Sequence, residues 1–238
     1  MTTPYEAPAQ NSVPPKHPWR WLRIGLLAIA LIGAVLLLLA PLRRTGALAV
    51  ARRIQCRNNL KQIACAVAAY TDHYGEPPPL VSHSAAGQPL HSWRTLILEF
   101  VDGQGSDIYS KIDLTKPWNH PDHAELAQST PPLFHCPSSS RNDGLTVYQA
   151  YTQHGGRLAV RDDSELLMLG ETADAAAVPW MQPKDNINWF RDALTPNTQT
   201  HHDSIVQGVS STTDVHTISA SADRETRVKL LDDPGSDR

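Results

Sequence analysis

Three cysteines, eleven histidines and a few isolated acids are the residues through which this 238-residue chain could do chemistry. Cys56, Cys65 and Cys136 are too few for a disulfide-built scaffold. On a helix, Cys65 follows Cys56 by nine residues, about half a revolution, so the two cannot share a face. If Phe134 docks its neighbour Cys136 against the face that carries Cys56, those two thiols can form a bridge in an oxidising compartment. The alternative is a pair of free buried thiols. His120-x-x-His123 and His201-His202-Asp203 contain metal-ligating side chains, but neither has two cysteines or a third ligand at a recognised spacing. We therefore expect no metal site, and exposed loop histidines instead. Adjacent histidines on a strand would point to opposite faces.

Catalytic signatures are missing from the sequence. There is no Gly-x-Ser-x-Gly, no His-Glu-x-x-His and no glycine-rich phosphate loop. Glu171 follows the apolar run Leu166-Leu167-Met168-Leu169-Gly170 and is the acid to watch. A general-base role would need a cleft and a shifted pKa; the simpler role is an acceptor for a neighbouring loop. Trp118, Trp180 and Trp189 can line a ligand site or plug the core of a loop-rich domain. No cofactor is called for.

The elements that must position these residues begin with one helix. Ile24 to Leu42 carries no charge, and 19 residues at ~1.5 Å each reach ~28 Å, close to the hydrocarbon thickness of a bilayer. Beyond Pro41, the residues Cys56, Leu60, Ile63, Val67, Tyr70 and Tyr74 fall on one stripe of a 3.6-residue period. Gly75 and Pro77-Pro78-Pro79 end the pattern. Residues 80–91 read as a loop, and Ser92–Val101 as a short helix with Ser92 as N-cap. Asp122–Gln128 reads as helical, and Thr130–Ser138 as extended by its prolines. Candidate strands are Thr146–Tyr151, Leu158–Arg161, Glu165–Gly170, Ile205–Val209 and Val215–Ala220. Residues 172–200 read as a long loop and Glu225–Leu231 as a last helix. The fold class is α+β: residues 1–23 a disordered tail, 24–42 a transmembrane helix, and 43–238 a stalk helix packed on a small antiparallel sheet with long loops.

Charge is unevenly spread. The net charge is −3, yet residues 43–61 hold six basic side chains and no acid, which leaves a strongly acidic remainder. A basic collar beside an apolar span suits anionic headgroups, while an acidic head excludes nucleic acid as a partner. Basic residues are denser on the C-terminal flank, which favours an outside N-terminus, although a long domain can translocate regardless. Cysteine usage favours an extracytoplasmic head.

The stretch Ala51-Arg52-Arg53-Ile54-Gln55-Cys56-Arg57-Asn58-Asn59-Leu60-Lys61-Gln62-Ile63 resembles a large planctomycete family, the domain of unknown function 1559, with a pilin-type N-terminal helix. Ser92-Trp93-Arg94, Pro117-Trp118, Phe134-His135-Cys136-Pro137-Ser138, Gly170-Glu171-Thr172 and Val178-Pro179-Trp180 follow in the family's order. The resemblance implies a pilin-like helix-on-sheet layout and a type II secretion pseudopilin-like protein of the cell envelope. Its expected partners are the lipid bilayer and other pilin-like or secretion-system proteins. It departs at the N-terminus: Trp19 and Ile24 stand where prepilin-type members carry Gly and Glu, so neither peptidase cleavage nor filament insertion is expected. The expected function is a membrane-anchored, non-enzymatic structural or assembly protein of the inner membrane with a periplasmic head. The alternatives are a glycan- or protein-binding module and, behind it, a membrane-bound hydrolase.

Overall fold

A computed structural model of the chain describes residues 18–231 except 142, 162 and 164; side chains of residues 18, 20, 21 and 36–45 also fall outside the described set. The chain divides into two compact units, residues 1–47 and 48–238. Helix α1 runs Pro18–Tyr74. Proline suits the first helical position, where its missing N–H has no intrahelical partner to lose. The expected tail therefore ends earlier than position 23, and its first 17 residues lie outside the described residues. Among the described residues no helix is long and apolar enough to cross a membrane; the side chains of residues 36–42 of the expected span lie outside the described set.

The stalk stripe is covered. Cys56, Leu60 and Ile63 are 0% exposed and Val67 1%, whereas Tyr74 is 48% exposed and leaves the stripe at the helix end. There Gly75 adopts φ +77°, and its N–H donates to the Thr71 carbonyl at 2.8 Å. That left-handed turn closes the helix at little cost for glycine.

After α1 come strands β1 (Val81–His83) and β2 (Pro89–Ser92), helices α2 (Trp93–Ile97), α3 (Gln104–Tyr109) and α4 (Ala124–Ala127), then strands β3 (Leu145–Thr146), β4 (Tyr148–Ala150), β5 (Gln153–His154), β6 (Arg157–Leu158), β7 (Leu167–Glu171), β8 (Val178–Pro179), β9 (Ile205–Ser210) and β10 (Val215–Ser219), and helix α5 (Arg224–Lys229). The four-stranded sheet has the order β10-β9-β7-β4, antiparallel throughout, with Tyr148 opposite Glu171 and Gly170 opposite Gly208. The other strands pair as β1-β2, β3-β8 and β5-β6.

Each face of the sheet carries an apolar cluster. Leu169, Val209, Tyr148 and Ala150 join the α1 stripe, Trp93, Phe134 and Trp180 in the first. Leu167, Val206, Ile218 and Tyr151 join Trp189, Phe190 and Leu194 in the second. Gly170 makes the crossing possible: a Cβ there would lie 2.6 Å from the Gln207 carbonyl oxygen and 2.6 Å from the Tyr151 ring.

Several expectations are corrected. Residues 80–91 hold the β1-β2 ribbon rather than a loop, and residues 172–200 hold β8 and a π-helical turn, Trp189–Ala193. Ser92 makes no capping bond; its hydroxyl donates to the Trp180 carbonyl at 3.2 Å. The helix it precedes tightens into a 3₁₀ turn at Leu98–Phe100. The stretch read as one strand from Thr146 breaks at Val147, because β3 and β4 pair with different partners. Within the stretch read as extended, Pro132–Phe134 is a 3₁₀ turn.

Candidate functional site

Four side chains from four distant segments meet under the sheet. Cys56 comes from α1, Cys136 from the loop after the 3₁₀ turn, Glu171 from the end of β7, and His202 from the turn before β9. Their sulfur, carboxylate and imidazole atoms lie within 4.8 Å of one another, and all four residues are buried. Cys56 and Cys136 are joined as a disulfide, Cα–Cα 5.2 Å, closing 80 residues of chain. Cys65 is exposed and free.

Polar bonds hold each member in place. Asn59, one turn along α1 from Cys56, donates to the carbonyls of His135 at 2.9 Å and Pro132 at 3.3 Å. This fixes the loop bearing Cys136. Glu171 Oε1 lies 3.5 Å from Cys136 Sγ and 3.2 Å from His202 Nε2, while Oε2 accepts from the Gln207 N–H at 3.1 Å. Tyr151 donates to the Glu171 carbonyl, and Tyr148 donates to the Cys56 carbonyl at 3.5 Å. Burial, and then the Glu171 carboxylate, pushes both phenols well up from their ordinary range, so they remain hydrogen-bond donors.

The turn that aims His202 is strained. Ile205 N–H donates to the His202 carbonyl at 3.1 Å, and between them Asp203 and Ser204 take φ +48° and +65°. Two successive positive φ values define a two-residue turn that glycine and asparagine prefer. His201 turns away from its neighbour, with Nε2 2.9 Å from the Thr172 carbonyl oxygen. The two histidines thus take different partners, as adjacent side chains on extended backbone must.

The expectation of exposed loop histidines is corrected: His91, His123 and His202 are 0%, 1% and 5% exposed. Both ring nitrogens of His123 are engaged, Nδ1 at 3.1 Å from the Pro117 carbonyl oxygen and Nε2 accepting from the Asp113 N–H at 3.2 Å. That removes His120-x-x-His123 as a ligand pair.

The tryptophans do not converge. Trp180 is fully buried, stacks on Phe134 at 6.2 Å and donates to the Leu126 carbonyl at 3.2 Å. Trp118 packs half-buried on the first cluster. Trp189 belongs to the second cluster and lines an open cavity of about 780 Å³ with Gln153, Asp185, Asn186, Asn188 and Asp192.

A second polar group surrounds Asp174, beside a cavity of about 660 Å³ lined by Ser138, Ser140, Asp174, Thr198 and His201. Both Ser139 and Ser140 hydroxyls donate to the carboxylate, and His201 Nε2 stands 3.7 Å from it. A hydrolytic triad would have a serine on the histidine and the acid behind it. Here the serines face the acid, and His201 is bound to a carbonyl.

The ion pair that sequence reasoning missed is Arg94–Asp185, at 2.5 Å with side chains 0% and 3% exposed. Asp185 also accepts from the Ala150 N–H at 2.9 Å and Trp93 Nε1 at 3.1 Å, and Arg94 Nε donates to the Tyr148 carbonyl at 3.0 Å. Burial pushes the Asp185 carboxyl up, and the guanidinium with these N–H donors pulls against it. An arginine inside the apolar run Trp93-Arg94-Thr95-Leu96-Ile97 was the available signal.

The chain matches no curated protein and no solved structure. The model of the family described as "Protein of unknown function (DUF1559)" matches residues 47–233, the whole stretch from the stalk through α5, and the chain belongs to that family.

Proposed function

We propose that this protein is a single-pass, membrane-anchored structural or assembly component of the cell envelope, pseudopilin-like, non-enzymatic, with residues 43–238 on the extracytoplasmic side. One observation carries the reading. Trp19, Leu22, Ile24, Leu26, Leu27, Ile29, Leu31, Ile32 and Val35 on α1 are each between 45% and 71% exposed. They follow one another too closely for a single stripe, so apolar side chains face every direction around the helix. Water is a poor solvent for such a surface, and lipid is a good one. Arg52, Arg53, Arg57 and Lys61 are exposed further along the helix and suit an anionic headgroup layer. The disulfide agrees with an oxidising side of the membrane.

The test is alkaline carbonate extraction of host membranes, protease treatment of intact cells, and N-terminal sequencing of the protected fragment. The expected result is retention in the membrane pellet and digestion of the head from outside. Recovery in the soluble fraction would sink the proposal. The ligand-binding alternative is favoured by the Trp189 cavity, where an indole edge lies beside amides and carboxylates.

A further inference from the structure

We propose that the Cys56, Cys136, Glu171 and His202 cluster is a two-state site: a disulfide when oxidised, and a zinc-binding site when the two thiols are reduced. Thiolate, imidazole and carboxylate are the donors zinc prefers, at ~2.3 Å for sulfur and ~2.0–2.2 Å for nitrogen and oxygen. A tetrahedron with those radii has donor–donor edges of roughly 3.3–3.8 Å. The observed separations are 3.2 Å for His202 Nε2 to Glu171 Oε1, 3.5 Å for Cys136 Sγ to Glu171 Oε1, and 3.9 Å for Cys136 Sγ to His202 Nε2. Three edges of the tetrahedron therefore already stand near their required lengths. The remaining adjustment is at Cys56, whose sulfur must part from that of Cys136 once their bond is gone and settle against Glu171 and His202, both already within 4.8 Å of it.

The surroundings suit a cation. Glu171 Oε2 is oriented by the Gln207 N–H, which leaves Oε1 aimed at the sulfurs and the imidazole. This is the outer-shell support that fixes a ligating carboxylate. His202 is delivered by the strained Asp203-Ser204 turn, a backbone cost that the packing of the site must hold in place. In the reduced state the site offers a carboxylate, an imidazole and two thiols in one buried place, all groups that zinc ligates.

The chemistry balances without a further reagent beyond a dithiol. Reduction breaks the Cys56–Cys136 S–S bond; the dithiol gives two electrons and two protons and leaves as its own disulfide. Zinc then displaces both thiol protons to solvent, and the His202 ring carries its proton on Nδ1 so that Nε2 can ligate. Two thiolates and one carboxylate around Zn²⁺ leave a net single negative charge on the site. Newly made chains are reduced, so the thiol form precedes the disulfide.

The experiment uses the full chain in detergent with Cys65→Ser, which removes the exposed competing thiol. Oxidised protein is expected to take up no Zn²⁺ or Co²⁺ after gel filtration. Protein reduced anaerobically with a dithiol should bind one Co²⁺ per chain, with the visible bands of tetrahedral cobalt and a thiolate-to-cobalt charge-transfer band. Zinc should displace the cobalt and protect Cys56 and Cys136 from alkylation. Glu171→Gln and His202→Ala should each weaken cobalt binding at least about tenfold, whereas His201→Ala leaves it unchanged. Alkylation protection in the unsubstituted Glu171/His202 background keeps the test decisive if either variant fails to fold. Reduced protein that takes up no cobalt, takes it up equally in His202→Ala, or stays unfolded by circular dichroism with zinc present overturns the proposal. None of these outcomes bears on the membrane assignment.

Discussion

Among the described residues two arginines are buried, one beside each apolar cluster, and they are held in different ways. Arg94, in the first cluster, faces a carboxylate: Asp185 lies 2.5 Å away, and the guanidinium also sits over the Trp93 ring, 4.8 Å from its centroid. Arg227, in the second cluster and 6% exposed, is bonded to carbonyls, those of Leu194 at 2.6 Å, Ala222 at 3.2 Å and Arg191 at 3.0 Å. Arg191 and Leu194 lie at the C-terminal end of the Trp189–Ala193 turn, where unpaired carbonyls carry partial negative charge. The first cluster joins α1 to segments far along the chain through the Cys56–Cys136 disulfide and the Asn59 hydrogen bonds. The second ties together neighbouring late segments through backbone oxygens. Removing one arginine leaves a buried charge in the first case and only unsatisfied dipoles in the second.

That difference sets the order of effects. Arg94→Met leaves Asp185 buried among N–H donors with no counter-charge, and should cost about 3–5 kcal/mol in urea unfolding. Pairing it with Asp185→Leu should recover part of the loss, because neither charge is then orphaned, while the Ala150 N–H and the Trp93 indole N–H lose their acceptor. A double variant as unstable as the single one would show that the hydrogen bonds to the Tyr148 carbonyl, the Ala150 N–H and the Trp93 indole, rather than the paired charges, carry the stability. Arg227→Met should cost less, about 1–2 kcal/mol, because the three carbonyls lose a donor but no opposite charge is stranded. Equal losses for the two single variants would remove the distinction between the clusters.

The strained turn joins the two regions, since it presents His202 to the first cluster while the Ser204 carbonyl accepts from Ala220 of the second at 2.7 Å. Ser204 adopts φ +65°, which glycine takes without a Cβ penalty. Ser204→Gly should therefore be stabilising by roughly 0.5 kcal/mol, the strain relieved slightly exceeding the entropy glycine returns to the unfolded chain. A destabilisation in thermal unfolding would mean the serine is held there at no backbone cost.

The two clusters were unequally legible. The stalk stripe was plain, because Cys56, Leu60, Ile63 and Val67 repeat at helical spacing and a buried helix face must show that period. Cys56 and Cys136 could be paired as alternatives to free thiols because a helix permits only one of Cys56 and Cys65 on that face. Nothing local placed Glu171 and His202 together: β7 and β9 are joined by a long excursion through β8 and the Trp189–Ala193 turn, and their register is a tertiary outcome. Within the second cluster, Trp189, Phe190 and Leu194 fall in the stretch that reads as loop, because they lie on irregular backbone with no period. The β1-β2 ribbon was missed for a related reason. Its strands are three and four residues long, and Pro89 begins the second, so alternation had no length over which to show.

The smallest effect concerns acids rather than arginines, and it sets Asp174 against Asp185. Burial opposes ionisation at both. At Asp174 the Ser139 and Ser140 hydroxyls, the Ser140 N–H and the nearby His201 outweigh it and bring the carboxyl below its ordinary 3.8. A folded pKa below the unfolded one means the carboxylate favours folding at every pH above the unfolded value. That contribution fades as pH falls through the folded pKa. Asp174→Asn cannot titrate, so the gap in urea midpoint between it and the parent should be constant from neutral pH down to about 4. Below that it should narrow as the parent protonates. The same titration on Asp185→Asn has the opposite sense, since burial pushes Asp185 up from its ordinary value. Its gap should already be changing above pH 4. If both gaps narrowed over one common range, the serine hydroxyls would not be holding Asp174 ionised, and the Asp174 group would be no more than an exposed loop contact.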